Sequence, residues 1–170
     1  MNYAQEPGIK KEQQLKRVLR LDPPSRHEDV YLDIDGWLDN IPVSIKAPTN
    51  RSVYYFKRVC LEEQVECDGE WRDSWFANGQ ARLYIFVLDR EVFVANKAKL
   101  RDYVVAQRGT NIVRERTLKP ETQRQQKEKG HPHTDSLTFN VSIPDLKKAG
   151  ILIHCGNLQK VKHSKVLKEA

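Results

Sequence analysis

Cysteine is scarce in this chain: Cys60, Cys67 and Cys155 are the only three among 170 residues. None belongs to a CxxC pair, which argues against a disulfide framework or a cysteine-rich zinc site and favours a reducing, cytoplasmic setting. Long apolar runs are missing as well. The longest, Leu83-Tyr-Ile-Phe-Val-Leu88, has the length of a strand, well short of the roughly 18–20 residues a membrane helix needs, so no membrane partner is expected. Met1 to Lys11 is polar and holds no secretory apolar segment. There is no GxSxG elbow, P-loop or dinucleotide fingerprint, which leaves Ser-His-Asp hydrolysis and nucleotide-dependent chemistry without support. His131 and His133 stand close together, but two further zinc ligands at suitable spacing are lacking.

What is present is charge. Charged residues make up 31% of the chain, and the formal net charge is +6. That balance fits either a polyanionic partner such as nucleic acid or an ordinary basic protein. The hydrophobic share of 39% can supply a core, and 170 residues favour one domain.

Apolar spacing predicts a helix over Pro7–Arg20, with Ile9, Leu15, Val18 and Leu19 on its inner face. Asp22-Pro-Pro-Ser-Arg ends it as a loop. A hairpin is expected within Asp29–Lys46, a helix over Val53–Val65, and an irregular segment from Asp68 to Gly79. Trp71, Trp75 and Phe76 in that segment read as a satellite of the core or a subunit contact, with base stacking as the alternative. Leu83–Leu88 reads as a buried strand that turns at Asp89-Arg90 into Glu91–Ala95, and a short helix follows over Lys97–Ala106. Arg108–Ser136 is basic and poor in apolar residues. It reads either as a flexible solvated loop or as an arm that touches phosphates. Leu137–Ile143 is an expected strand, Pro144–Ala149 a short helix, Ile151–Cys155 a strand and Gln159–Ala170 a basic tail. The expected fold class is α/β, a mixed central sheet flanked by helices with a C-terminal β/α extension.

The hairpin carries the chemistry. Residues alternate on both sides of Asp39-Asn40, a dipeptide suited to a two-residue turn. With that turn, Leu38 pairs with Ile41, Trp37 with Pro42, Asp35 with Ser44, Ile34 with Ile45 and Asp33 with Lys46. One face then carries Ile34, Leu38, Ile41, Val43 and Ile45, and the other Asp33, Asp35, Ser44 and Lys46. Aspartate is a poor strand former, yet two occur at alternate positions facing a lysine. Acids that hold a divalent ion, beside a lysine that orients water, are what metal-assisted phosphodiester hydrolysis requires. A sheet whose exposed face is simply polar is the competing reading.

The order of a helix with Glu, a strand with Asp, a turn, a strand ending in x-Ile-Lys, then helix and strand resembles the PD-(D/E)xK, or restriction-endonuclease-like, nuclease superfamily. The resemblance covers roughly residues 8 to 95. It implies a nuclease core over residues 1–106, a basic polar loop or arm over 107–136, and an extension of the same domain over 137–170. It also implies that Mg²⁺, with Mn²⁺ able to substitute, is held by the strand Asp and the acid of (D/E)xK, and that the lysine contacts the attacking water and the scissile phosphate. Lys46 matches that lysine, Asp35 or Asp33 the strand Asp, and Glu12 the acid on the first helix. The chain departs from the pattern at Ser44, where the family has an acid; serine is a poor Mg²⁺ ligand. Three explanations are open: an acid supplied by the next helix, where Glu62 and Glu63 lie; compensation by the second Asp; or a degenerate site that only binds. Gln80 and Arg82, before the Leu83 strand, either face the phosphate or are surface residues.

The expected function is a Mg²⁺-dependent DNA endonuclease of restriction, homing or junction-resolving type, a class that includes enzymes of phages and mobile elements. Its site would use Asp33, Asp35, Ser44, Lys46, Glu12 and Glu62, with Asp33, Asp35 and Glu62 toward the metal. Arg108, Arg114, Arg116, Lys119, Arg124 and Lys127 would contact the DNA backbone. One nuclease domain cuts one strand, so a homodimer or higher homo-oligomer is expected. The alternative is a non-catalytic nucleic-acid-binding protein on the same fold; a structural protein with incidental basic charge is a third reading.

Overall fold

Two sheets share the apolar residues of this chain. The computed structural model describes residues 6–48, 57–107, 113–116 and 133–170. The elements are α1 (Glu6–Leu19), α2 (Arg26–Tyr31), β1 (Gly36–Leu38), β2 (Ile41–Lys46), β3 (Arg58–Cys67), β4 (Glu70–Asp73), α3 (Trp75–Asn78), β5 (Leu83–Leu88), β6 (Glu91–Asn96), α4 (Lys97–Gln107), β7 (Val113–Arg116), β8 (His133–Ser142), α5 (Ile143–Lys148), β9 (Ile153–Asn157) and α6 (His163–Leu167). The first sheet runs β1-β2-β5-β6-β9 and is mixed, because β2 and β5 are parallel while the other pairs are antiparallel. The second runs β4-β3-β8-β7 and is antiparallel throughout. The fold is therefore α/β with a mixed five-stranded sheet, as expected from the sequence.

β5 is buried at all six positions, because both of its faces are covered. Leu83, Ile85 and Val87 turn toward Leu15 and Leu19 of α1, together with Val43, Ile45, Val92, Val94 and Val166. Tyr84, Phe86 and Leu88 turn the other way, toward Val59, Leu61, Phe139 and Val141 of the second sheet and Leu100 and Val104 of α4. A run of consecutive apolar residues is the pattern that such two-sided burial requires.

The second sheet corrects two expectations. Residues 58–65 belong to β3, and no helix runs through them. Glu62, Glu63 and Gln64 favour a helix locally, but Val59 and Leu61 alternate into the core, and β4 and β8 pair with β3 on either side. The register slips between Glu62 and Gln64, a bulge at Glu63 that breaks the period-two pattern and hides the strand. The segment after Asp68 is likewise ordered: Asp68 and Gly69 form the turn of the β3–β4 hairpin, and α3 follows. The basic tail is also more than a tail, since Val161 and Val166 are buried against the α1 side of the first sheet. Among the described residues, no helix is long and apolar enough to cross a membrane, and Cys60, Cys67 and Cys155 are not joined to one another by disulfides.

Candidate functional site

The β1–β2 turn forms as the sequence predicts. Asp39 and Asn40 both have positive φ, 47° and 65°, the backbone that a two-residue hairpin turn of matching twist demands. Trp37 pairs with Pro42 and Leu38 with Ile41. The ladder then stops at Gly36 and Val43, earlier than expected. Asp33 and Asp35 precede β1 and are not strand residues. Arg26–Tyr31, part of the expected hairpin span and loop, is the short helix α2, started by Ser25 and Glu28 in a reciprocal capping box. Burdened by no pairing partner, Asp33 takes a left-handed backbone, φ 54°, a region that aspartate tolerates better than most residues.

The polar four nevertheless meet. Lys46 Nζ lies 2.6 Å from Asp33 Oδ1. Ser44 Oγ donates to Asp35 Oδ2 at 3.1 Å, and the Ile45 amide donates to the same oxygen at 2.6 Å. The Asp35 carboxylate thus takes the place of the next ladder partner along the edge of β2. Its other oxygen lies 3.8 Å from Lys16 Nζ, which also holds Glu12 at 2.7 Å. Glu12 therefore reaches the site through Lys16.

Asp33 is differently placed. Its Oδ2 is buried and has no hydrogen-bond partner among the described residues. Burial pushes the Asp33 carboxyl above the ordinary aspartate value and Asp35 adds to this, while Lys46 and Ser44 oppose the rise. Gly79 packs on it so closely that a β-carbon there would come within 3.0 Å of Asp33 Cβ and 2.5 Å of the Trp75 carbonyl oxygen. The Gln80 amide, donating to the Leu32 carbonyl at 2.7 Å, pins this contact.

Lys46 is covered by aromatics. Its Nζ lies 4.4 Å from the centre of the Trp75 ring and 6.0 Å from that of Tyr84. Tyr84 donates its hydroxyl to the Trp75 carbonyl at 3.1 Å, and burial raises its phenol beyond the usual range. Lys97 also stands by Tyr84, 5.8 Å from the ring centre, and donates to the Gly79 carbonyl.

Glu62 does not join the carboxylates as a helix residue. It lies on β3 and accepts from Ser74 Oγ, next to Trp75. Arg114 and Arg116 lie on β7, opposite Phe139 and Leu137. Arg108, Lys119, Arg124 and Lys127 lie outside the described residues. Lys16, Tyr84, Lys97 and Gly79 stand at this candidate site without having been singled out in the sequence, and Trp75, read there as a core satellite, a subunit contact or a base-stacking residue, covers Lys46. Lys16 had a signal in its four-residue spacing from Glu12; the others depend on contacts distant in sequence.

A recess of about 300 Å³ opens beside Asp33, with Asp29, Asp73, Ser74, Trp75 and Gly79 among its walls. Among the described residues no three His, Cys, Asp or Glu side chains cluster as a ready metal cage. Mg²⁺ does not require one: it commonly keeps several waters and takes one or two carboxylates plus phosphate oxygens. The hard, unpartnered Oδ2 of Asp33 and the nearby Asp35 carboxylate fit that need. No family model, curated protein or solved structure matches the chain.

Proposed function

We propose that this protein is a metal-dependent endonuclease of the restriction-endonuclease-like type, acting on DNA phosphodiester bonds. The observation that carries the reading is the Asp33–Lys46 pair: one carboxylate oxygen bound by a lysine at 2.6 Å, the other buried without a hydrogen-bond partner among the described residues. A buried acid in that state has an unmet need for a cation, and a lysine beside it is poised for an anion. Mg²⁺ or Mn²⁺, when bound, supplies a Lewis acid to the phosphate and a more acidic water.

The chain's own groups do the rest. Asp33 and Asp35 hold the positive charge, with Asp33 foremost, because Asp35 Oδ2 already accepts from Ser44 and Ile45. Lys46 Nζ orients the attacking water and stabilises the charge that grows on the phosphate oxygens. Trp75 shields the ammonium from bulk water, which strengthens its field. Ser44 holds Asp35 and is no ligand itself.

The second reading, a binding protein without turnover, draws on Ser44 at the place of an acid and on the two donors that occupy Asp35. The experiment that separates the two is a cleavage panel of supercoiled plasmid, branched junctions, single strands and RNA. It is run with Mg²⁺, Mn²⁺ or EDTA, beside Lys46→Ala. Metal-dependent cutting of DNA lost in the variant supports the nuclease. Binding that survives EDTA, with no cutting of any substrate, favours the second reading.

A further inference from the structure

A second cavity, of about 540 Å³, lies across the Asn78-Gly79 wall from the recess of Asp33, and both residues line both spaces. Its other walls come from Gln80 and Arg82, before and at the entry to β5, and from Asn96, Lys97 and Arg101, at the end of β6 and the start of α4. Three side chains are cationic, three end in carboxamides, and no lining residue is acidic. Neither guanidinium is paired with a carboxylate among the described residues. Arg101 donates only a long hydrogen bond, 3.4 Å, to the Ala77 carbonyl. Lys97 is nearly buried, 9% exposed, and both burial and the neighbouring Arg101 hold its ammonium below the usual lysine range. Asp33 offsets part of the Lys97 charge, but the two guanidiniums stand beside it without carboxylate partners among the described residues, and an anion between the cations relieves their repulsion.

The placement names the kind of anion. Gly79, in that shared wall, packs on Asp33, and its carbonyl accepts from Lys97. The recess itself carries Asp29, Asp33 and Asp73 and no cation, so a ligand with negative charge at intervals along a chain suits both spaces when a divalent cation is held at Asp33, as the proposed function requires. The planar guanidinium of arginine suits a phosphate held by two oxygens, and the carboxamides of Asn78, Gln80 and Asn96 add neutral donors.

We propose that this cleft is a phosphate subsite, which holds the backbone phosphate flanking the one presented to Asp33 and Lys46. The assignment rests on the nucleic-acid reading above but not on turnover. Arg82 and Arg101 make the contacts, and Lys97 sets the field behind them.

The test is binding of fluorescein-labelled duplex and single-stranded oligonucleotides, followed by anisotropy in EDTA over a series of salt concentrations. Wild type is compared with Arg82→Gln, with Arg82→Gln/Arg101→Gln, and with Arg90→Gln/Lys148→Gln, which removes two exposed cations elsewhere. Arg82 is exposed, so its single variant keeps the fold. The double cleft variant should bind about tenfold more weakly, with the slope of log affinity against log salt shallower by roughly one to two. The Arg90/Lys148 variant should match wild type. If wild type binds and both cleft variants bind equally well with the same slope, the subsite is overturned and the nuclease reading stands. A wild type that binds no oligonucleotide overturns both.

Discussion

The two faces of the first sheet are built from the same strands and do opposite work. Toward α1, β2 presents Val43 and Ile45, and the surroundings are apolar throughout. Toward the second sheet, β2 presents Ser44 and Lys46, and the apolar packing gives way to charge. The first face can close up completely, because Leu15 and Leu19 fill it. On the second, Trp75 and Gly79 stop short of sealing Asp33, and a recess remains. The contrast recurs in miniature between the two aspartates. Asp35 is held by the Ile45 amide and Ser44 and finishes the edge of β2. Asp33, two residues earlier, carries a buried oxygen, Oδ2, with no hydrogen-bond partner among the described residues. One acid supports the fold; the other is the one that the proposed chemistry would use.

The sharpest way to break this contrast is to damage the apolar face. Leu15→Ala should destabilise the protein by about 2–5 kcal/mol, read by urea denaturation, while the activity of the folded fraction stays near normal. Asp35→Ala should come next, at about 1–3 kcal/mol, because it strips the Ile45 amide and Ser44 of their acceptor. If Asp35→Ala keeps wild-type stability but loses turnover, the division of labour between the two acids is reversed.

Gly79→Ala sharpens the comparison from the other side. A methyl group there meets the Trp75 carbonyl and Asp33 Cβ, so turnover should fall at least tenfold through displaced Asp33, a size set by the geometric sensitivity of such sites. Retention of full activity would show that the contact does not position the acid.

Acidity gives a smaller and directional effect. Asp33 has its carboxyl raised by burial above the ordinary 3.8, so the folded chain holds this proton more tightly than the unfolded chain does. The associated stability is fully present below that ordinary value and is lost as pH rises through the raised one. The urea midpoint of wild type should therefore fall relative to Asp33→Asn as pH rises across this window, and a difference independent of pH would remove the argument. The smallest effect is expected at the helix start: Ser25→Ala should cost about 1 kcal/mol by removing one half of the capping box, read as a shift of the thermal midpoint.

How much of this was legible depended on whether a feature was local. The Asp39-Asn40 turn could be read because its chemistry is contained in two residues; Asp33 does meet Lys46 and Asp35 does meet Ser44, but through side chains from the segment before β1 and not by the cross-strand pairing expected. The Leu83–Leu88 strand and its Asp89-Arg90 turn were legible for the same reason. The Ser25–Glu28 capping box was also present as a local pattern, but the Pro23-Pro24 break beside it reads as loop. β3 was hidden by the bulge at Glu63 and by a helix-favouring Glu-Glu-Gln stretch, which pairing with β4 and β8 overrides. That misreading carried Glu62 to the wrong kind of element. Trp75, Tyr84 and Lys97 were illegible as neighbours of Lys46, because three separate elements bring them there. Ile9 fits the apolar face of α1 by spacing but is 50% exposed, near the end of a helix whose packing is carried by Leu15 and Leu19.

The claim that Asp33 and Lys46 form a working pair is tested most directly by the rate of Mn²⁺-dependent cleavage of duplex DNA. Wild type and Asp33→Asn are compared at equal folded fraction. The account predicts cutting by wild type and a loss of about a hundredfold or more in Asp33→Asn. Cutting by Asp33→Asn at the wild-type rate would contradict it.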